Sequence, residues 1–390
     1  MTKYELLAPA GDFSMLVAAV NAGADAVYFG LKEFSMRANA GNFSIKDLDE
    51  IAKICKPKNV KRYLTLNTII YNKELKKMEE TIKKVKGKID AVICWDFAVI
   101  ELCKKYQIPF FISTQASVSN IESAKFYKKI GAKRIVLARE LNLKQIKEIS
   151  KVIDIECFCH GAMCVAVSGR CFTSQFLFNK SANRGECLHP CRRSYSVKDE
   201  EGNELKLENS RILSAKDLCT LPFIEKMKKA GIKSFKIEGR NRDARYVDAV
   251  VKVYRKALDK RLNKKEIEAG IKELNNIYNK GFSSGFYLKM PTADDFSKIE
   301  HNSSPEKKHF VGRITHYFDN VGVAAIKLVS ELKTGDRIIV IGKTTGIIHS
   351  EVNSMEIKNK PISQASKGDE IGIKLPKVRT NDEVYLIKKR

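Results

Sequence analysis

The chain has 390 residues, a hydrophobic share of 44%, 30% charged residues and a formal charge of +25 from 71 Lys and Arg against 46 Asp and Glu. This is too long for one small core and fits a large domain plus lesser ones, while the composition excludes disordered and collagen-like classes and offers no apolar run able to span a bilayer. The positive excess is spread along the whole chain, so it favours polyanions such as RNA or DNA at low salt without locating a site.

From Tyr4 to about Asp248, short β-rich runs alternate with amphipathic stretches. ELLAP, AVYFG, RYLTLN, AVICWD, FFIST, RIVLA, IDIECFC and SFKIEG are the predicted strands. Apolar residues three or four apart predict helices over Ser14 to Asn21, Ile45 to Cys55, Glu74 to Val85, Phe97 to Tyr106, Glu122 to Ile130, Leu143 to Ser150 and Leu218 to Ala230. Gly23, Gly131 and Gly231 are placed as helix stops. Eight strand–helix alternations predict a parallel (β/α)₈ barrel of the TIM type within residues 1–300. An insertion at 161–210 separates the last two strands, and a loop of that length in a compact domain is functional or disordered. Loops after barrel strands open on the C-terminal face, so the insertion should fold over the mouth. Ala244 to Leu258 and Lys264 to Tyr278 read as further helices. Residues 305–390 then change to short strands with turn signals, FVGRITHYF, GVAAIKL, GDRIIVIG, ISQASKGDEIGIKL and DEVYLIK, predicting a small C-terminal β-barrel.

The opening MTKYELLAPAGDF lacks the apolar core of a signal peptide, so a cytoplasmic location is expected. Ten cysteines in a reducing compartment read as ligands or small buried residues, and Cys55, Cys94 and Cys103 are taken as buried. Four others, Cys164, Cys171, Cys187 and Cys191, fall within twenty-eight residues of the insertion, with Cys219 shortly beyond. Thiolates bind iron–sulfur clusters or zinc, and neighbouring Arg170, Arg184, Arg192 and Arg193 would favour deprotonation. Six residues separate the first two cysteines and fifteen the next two, nearer the irregular spacing of cluster proteins than the close pairs of zinc modules. The tight three-cysteine run of radical-SAM enzymes is missing, as are H-E-x-x-H and a G-x-S-x-G around Ser168. GKTTG at Gly342 lacks the earlier glycine of a phosphate loop and is read as a turn.

The stretch Glu156 to Cys164 (ECFCHGAMC), followed by Ser168-Gly169-Arg170-Cys171, resembles the signature of the peptidase U32 family, the collagenase-like proteases. ELLAPAGD, GADAVYFG, SAKDLC and KIEGR look like that family's barrel, and the tail is similar to its C-terminal β-barrel, itself like the second domain of elongation factor Tu. The resemblance implies an iron–sulfur protein, of 4Fe-4S type, in oxygen-independent hydroxylation. The implied substrates are tRNA uridine, a ribosomal cytidine or a quinone precursor, with prephenate as hydroxyl donor, and the tRNA branch is nearest in layout. Carried over, the cluster ligands are Cys164, Cys171 and Cys187, with Cys219 or Cys191 as fourth. Cys219 is preferred, because Cys191 lies one turn from Cys187.

His160, at the end of the seventh strand, is a candidate acid or base, or a packed structural histidine. Glu156, on the same strand, is a candidate catalytic carboxylate if it points inward, or one half of a buried ion pair. Tyr28, Asn67, Asp96, Gln115, Arg139, Glu140, Glu238 and Arg240 stand at other strand ends, where polar residues tend to be functional. Of these Arg240 is a catalytic candidate, and Arg139, Gln115, Asn67 and Glu238 are candidates for substrate binding. Arg139 and Arg240 suit a dicarboxylic donor, since a guanidinium holds a carboxylate in a bidentate fork. The expected activity is hydroxylation of a pyrimidine in RNA, most readily an exposed tRNA uridine. Peptide hydrolysis and a non-catalytic RNA-binding or maturation role are the alternatives.

Overall fold

The computed structural model describes residues 3–37, 40–167, 170–205, 211, 213–299 and 302–390. Ser168 and Gly169 of the quoted signature, part of the 161–210 insertion, and the expected boundary at residue 300 lie outside the described residues.

The eight predicted barrel strands form and close. In chain order they are β1 Glu5–Pro9, β2 Ala26–Gly30, β3 Lys61–Thr65, β4 Ala91–Cys94, β5 Phe110–Ile112, β6 Arg134–Val136, β7 Ile155–Gly161 and an eighth strand, Ser234–Ile237. All pair in parallel in sequence order, and the eighth bonds to both β1 and β7, which shuts the ring. Their buried character follows from having a packed interior on one side and helices on the other.

The helices between them begin where short polar side chains can take the first free amides. Asp12 accepts from the Met15 amide to start α1 (Phe13–Asn21), Asp96 from Ala98 to start α4 (Phe97–Lys105), and Asn120 from Ser123 to start α5 (Ile121–Lys129). The remaining barrel helices are α2 Leu48–Cys55, α3 Leu75–Val85 and α6 Leu143–Ile149. The three glycines read as helix stops adopt positive φ, at 97°, 102° and 83°.

One predicted helix is corrected. Residues 217–219 form a short strand, Asp217–Cys219, antiparallel to β7, with Leu218 opposite Gly161 and Cys219 opposite His160. Helix α8 starts only at Ile224, after a turn set by Pro222, and runs to Lys229. The apolar spacing of this segment was satisfied by strand pairing on one side of the proline and by helix on the other. Among the described residues the insertion holds a short helix, α7 Thr173–Phe178, 3₁₀ turns at Ala182–Arg184 and Pro190–Arg192, and a small hairpin.

Helices α9 (Ala244–Asp259) and α10 (Lys264–Asn275) follow the eighth strand. From Glu306 onward the chain forms an antiparallel sheet of eight strands around its own core, which includes Val311, Ile326, Ile338, Ile371 and Val384. GKTTG is the turn of its hairpin, with Gly342 opposite Gly346. The hairpin's second strand, Gly346–Glu351, was not predicted, and it lies against α1. Ionic contacts accompany this packing: Glu306 takes Arg245 and Arg337, Lys308 reaches Asp243 at 2.7 Å, and His349 stands 3.1 Å from Asp248. Among the described residues no helix is long and apolar enough to cross a membrane.

Candidate active site

The interior of the barrel carries charged side chains at both its floor and its mouth, set among apolar ones such as Phe111, Val136 and Phe158. At the floor, the wholly buried Glu156 of β7 takes Lys236 at 2.8 Å and Arg134 at 3.3 Å, while Arg134 also binds Glu5, which accepts from the Tyr63 hydroxyl at 2.7 Å. Glu156 therefore neutralises two interior cations below the mouth and does not line the cavity above, so its candidacy as a catalytic carboxylate is corrected to that of a buried ion pair. Lys236, two residues up the eighth strand, carries the charge upward, with its ammonium 4.3 Å from the Tyr28 ring centre.

Above this floor the C-terminal ends of the strands enclose a cavity of about 170 Å³. That is below the roughly 300–1,000 Å³ typical of drug-sized ligands, so the site does not admit an extended chain. Asn67, Gln115, Arg139, Glu238 and Arg240 all line it, joined by Tyr28, Thr65, Ser113 and Thr114. Arg240 is 4% exposed, and its guanidinium donates to Ser35 at 2.7 Å and Thr65 at 3.0 Å. Gly30 makes room for it: a Cβ there would stand 2.6 Å from the guanidinium. Arg139 lies over the Phe158 ring at 3.8 Å and donates to the Ala162 carbonyl at 2.9 Å. The amide oxygen of Asn67 accepts from the Met36 amide at 3.3 Å, and the Asn67 carbonyl accepts from Trp95 at 2.9 Å.

Glu238 is the one carboxylate among the described lining residues, against Arg37, Arg139, Arg192, Lys236 and Arg240. Burial raises its pKa, but Arg37, Arg139 and Arg240 outweigh burial and hold it down at about 2. Arg37 makes the direct contact, at 3.0 Å. It comes from the loop after β2, with no periodicity or motif to mark it, and was missed in the sequence. Burial in turn lowers the Arg240 pKa to about 10, still charged at neutral pH.

Two other strand-end candidates lie elsewhere. Asp96 caps α4 and accepts the Ile70 amide at 3.1 Å, and neither it nor Glu140 lines the cavity. His160 does not line it either. On β7 the register slips by one residue between Phe158 and His160 relative to Lys236 and Ile237 of the eighth strand, a bulge at Cys159. Simple alternation would put His160 inside with Glu156 and Phe158, whereas the bulge turns it outward. There it sits 1% exposed among Tyr246, Tyr254 and Phe282, with Nδ1 3.4 Å from the Tyr254 hydroxyl. Burial, aided by Arg242, lowers its pKa to about 3, so it is a neutral packing residue.

The insertion lies across the mouth as a lid, and its arginines act as fasteners. Arg170 donates to the Gln115 carbonyl and stacks near Trp95, Arg184 binds Glu74 and the Ile69 carbonyl, and Arg192 donates to the Ala215 carbonyl and, at 2.7 Å, to that of Met163. Cys164, Cys171, Cys187 and Cys191 all face the cavity. Cys187 and Cys191 lie within electrostatic reach of the other two, although burial is the larger influence raising both their pKa values. Cys219, the preferred fourth ligand, is not with them: it is buried beside β7, with Sγ 3.8 Å from the Tyr254 hydroxyl. Cys191 takes its place at the cavity. Four thiols lining one cavity are a donor set that suits a soft metal centre, although among the described residues no three potential ligands stand at coordinating distance.

These features define a (β/α)₈ barrel protein with a small, cationic, cysteine-rimmed cavity at the end where barrel enzymes bind their substrates. Residues 11–297 match the family described as peptidase family U32, and the chain belongs to that family. It is 43% identical to a protein of Methanocaldococcus jannaschii named as an uncharacterized protease, over 100% of this chain and 99% of that one. It is 40% identical to a protein of Porphyromonas gingivalis named collagenase, over 99% and 98%. It is 34% identical to a tRNA hydroxylation protein of Bacillus subtilis, over 87% and 84%.

Proposed function

We propose that the protein hydroxylates a pyrimidine in RNA, tRNA uridine being the first choice, in the cytoplasm and with a prephenate-like dicarboxylate as hydroxyl donor. The observation that carries this reading is the cavity, which three guanidiniums (Arg37, Arg139, Arg240) and four thiols line together. Cys164, Cys171, Cys187 and Cys191 would hold an iron–sulfur cluster, which when bound supplies redox-active, Lewis-acidic iron beside the cavity.

The chain's own residues have separate tasks. Arg139 and Arg240 each keep free N–H groups for a carboxylate of the donor, in a pocket whose low dielectric strengthens the pairing. The side-chain amides of Asn67 and Gln115 line the cavity and can read the Watson–Crick edge of a base turned out of its stack, while the Ser113 hydroxyl donates to the Gln115 amide oxygen and that of Thr114 to the Leu137 carbonyl. Glu238 is ionised at neutral pH and therefore accepts hydrogen bonds, orienting the guanidiniums and a substrate N–H, and does not deliver a proton. The tRNA hydroxylation relative supports the substrate class.

The peptidase reading has its support in the names of two relatives. Against it, among the described residues no Ser, Thr or Cys side chain of the cavity bonds a histidine ring, the pairing that activates a hydrolytic nucleophile. Nucleoside analysis of total tRNA and rRNA from a strain lacking the protein tests the proposal. A hydroxylated pyrimidine should vanish, and should return with the wild-type gene but not with Arg240→Ala. An unchanged nucleoside profile, or peptide cleavage by the metal-free protein, would overturn it.

A further inference from the structure

Two aromatic rings on the lid have no place in the site described above. Phe172, the N-cap of α7, is 62% exposed and Phe176, one turn further on, 81%, with ring centres 6.0 Å apart and planes within 28° of parallel. Leu177, Val167 and Leu188 extend the exposed apolar surface around them. Large apolar side chains gathered in water mark a surface that binds something. The pair adjoins the cavity, because Cys171 and Thr173, on either side of Phe172, both line it.

We infer that Phe172 and Phe176 form a stacking platform for unpaired nucleotides flanking the base held in the cavity. This rests on the proposed RNA substrate and adds how the strand is held. Charge selects the occupant: a chain of formal charge +25 repels a second copy of itself and attracts a polyanion. The rim carries exposed Arg170, Lys180 and Arg193, the last stacked 4.5 Å over Phe178. Near-parallel exposed rings among cations are the arrangement by which single strands are bound, bases stacking on the rings and phosphates lying along the basic residues. A cavity too small for an extended chain leaves the neighbouring nucleotides outside, and the surface they meet is this rim. A duplex presents no free base faces to it, so the platform discriminates for loops and single strands.

The test is fluorescence anisotropy of the full-length protein with a short labelled oligouridylate and with an RNA duplex of equal length. Base–aromatic stacking measured by alanine substitution corresponds to about tenfold in affinity per ring. Phe172→Ala with Phe176→Ala should weaken oligouridylate binding at least about tenfold, leave duplex binding unchanged, and regain most of the loss with Phe176→Trp. Melting temperature and iron content serve as folding controls, since both rings are exposed. If the wild type binds the oligouridylate and the double variant binds it equally well, the platform is wrong and the RNA reading stands. If the wild type binds no RNA, both fail. A change of oligomeric state in the double variant would assign the patch to contact between copies and overturn the inference.

Discussion

The Glu238 carboxylate and the Arg37 guanidinium meet at 3.0 Å at the edge of the cavity, a charge pair between the end of the eighth strand and the loop after β2. Through it the loop is tied to the barrel wall, and Glu238, hydrogen-bonded also to Tyr28 at 3.4 Å, remains ionised despite its burial.

The pairing has a pH signature. Glu238 has a folded pKa of about 2 against a reference of 4.5, so its stabilising effect is complete above about 4.5 and is lost as pH falls through about 2. The full effect is on the order of 3 kcal/mol at about 1.4 kcal/mol per pKa unit. Denaturant unfolding of wild type and Glu238→Gln at a series of pH values should show the difference between them shrinking across that window. Arg37→Ala should raise the Glu238 pKa and narrow it.

Glu156 gives the clearest separation of structure from catalysis. Removing one partner of a buried pair leaves the other charge uncompensated, at a cost of about 3–5 kcal/mol. Glu156→Ala should lower stability by that amount, measured by urea titration, because Lys236 and Arg134 lose their shared anion. Adding Lys236→Met should recover much of it. A stable Glu156→Ala protein that has lost only turnover would show that the carboxylate acts chemically after all.

His160 predicts a slope in stability. Its folded pKa of about 3 lies below the reference of 6.5, so between these values the unfolded chain binds a proton that the native state refuses. Stability must therefore fall on acidification below about pH 6.5, by about 1.4 kcal/mol per unit from this group alone. His160→Phe, filling the same aromatic surroundings, should flatten that part of the profile, as read from melting temperatures between pH 7 and pH 4. Its pH–rate profile should match that of the wild type, since the imidazole faces away from the cavity.

The strands and helices of the barrel were legible because burial on both faces demands short apolar runs in the strands, and because helices with one buried face place apolar residues three or four apart. The site was legible only in part. Asn67, Gln115, Arg139, Glu238 and Arg240 could be found, since strand ends in a barrel converge by topology. His160 was assigned to the wrong side because a one-residue bulge at Cys159 reverses the alternation and leaves no trace in residue type. Glu156 points inward as expected but sits a layer too low. Arg37 lies in an irregular loop, and the lid arginines that seemed to serve the thiols instead bind backbone carbonyls and Glu74. Spacing pointed to Cys219 over Cys191, and it carries no trace of the pairing of Asp217–Cys219 with β7 that keeps the Cys219 thiol away from the cavity.

That pairing makes the cysteines the sharpest test of the proposed cluster. Cys219 is held opposite His160 by the antiparallel strand Asp217–Cys219, and its thiol, pushed up to about 11 by burial, has the Leu221 amide and the Tyr254 hydroxyl as hydrogen-bond partners. Cys191 shares the cavity with Cys164, Cys171 and Cys187. For Cys219 to join them, the short strand would have to leave β7 and expose Leu218 and Cys219, which are 2% and 5% exposed. Anaerobically purified Cys191→Ser should accordingly lose iron and sulfide together with its visible absorption, as should Cys164→Ser, Cys171→Ser and Cys187→Ser. Cys219→Ser should keep its full complement of both and lose only some stability, because a hydroxyl replaces a packed thiol. Iron loss in Cys219→Ser with retention in Cys191→Ser would mean that the strand beside β7 rearranges when metal binds.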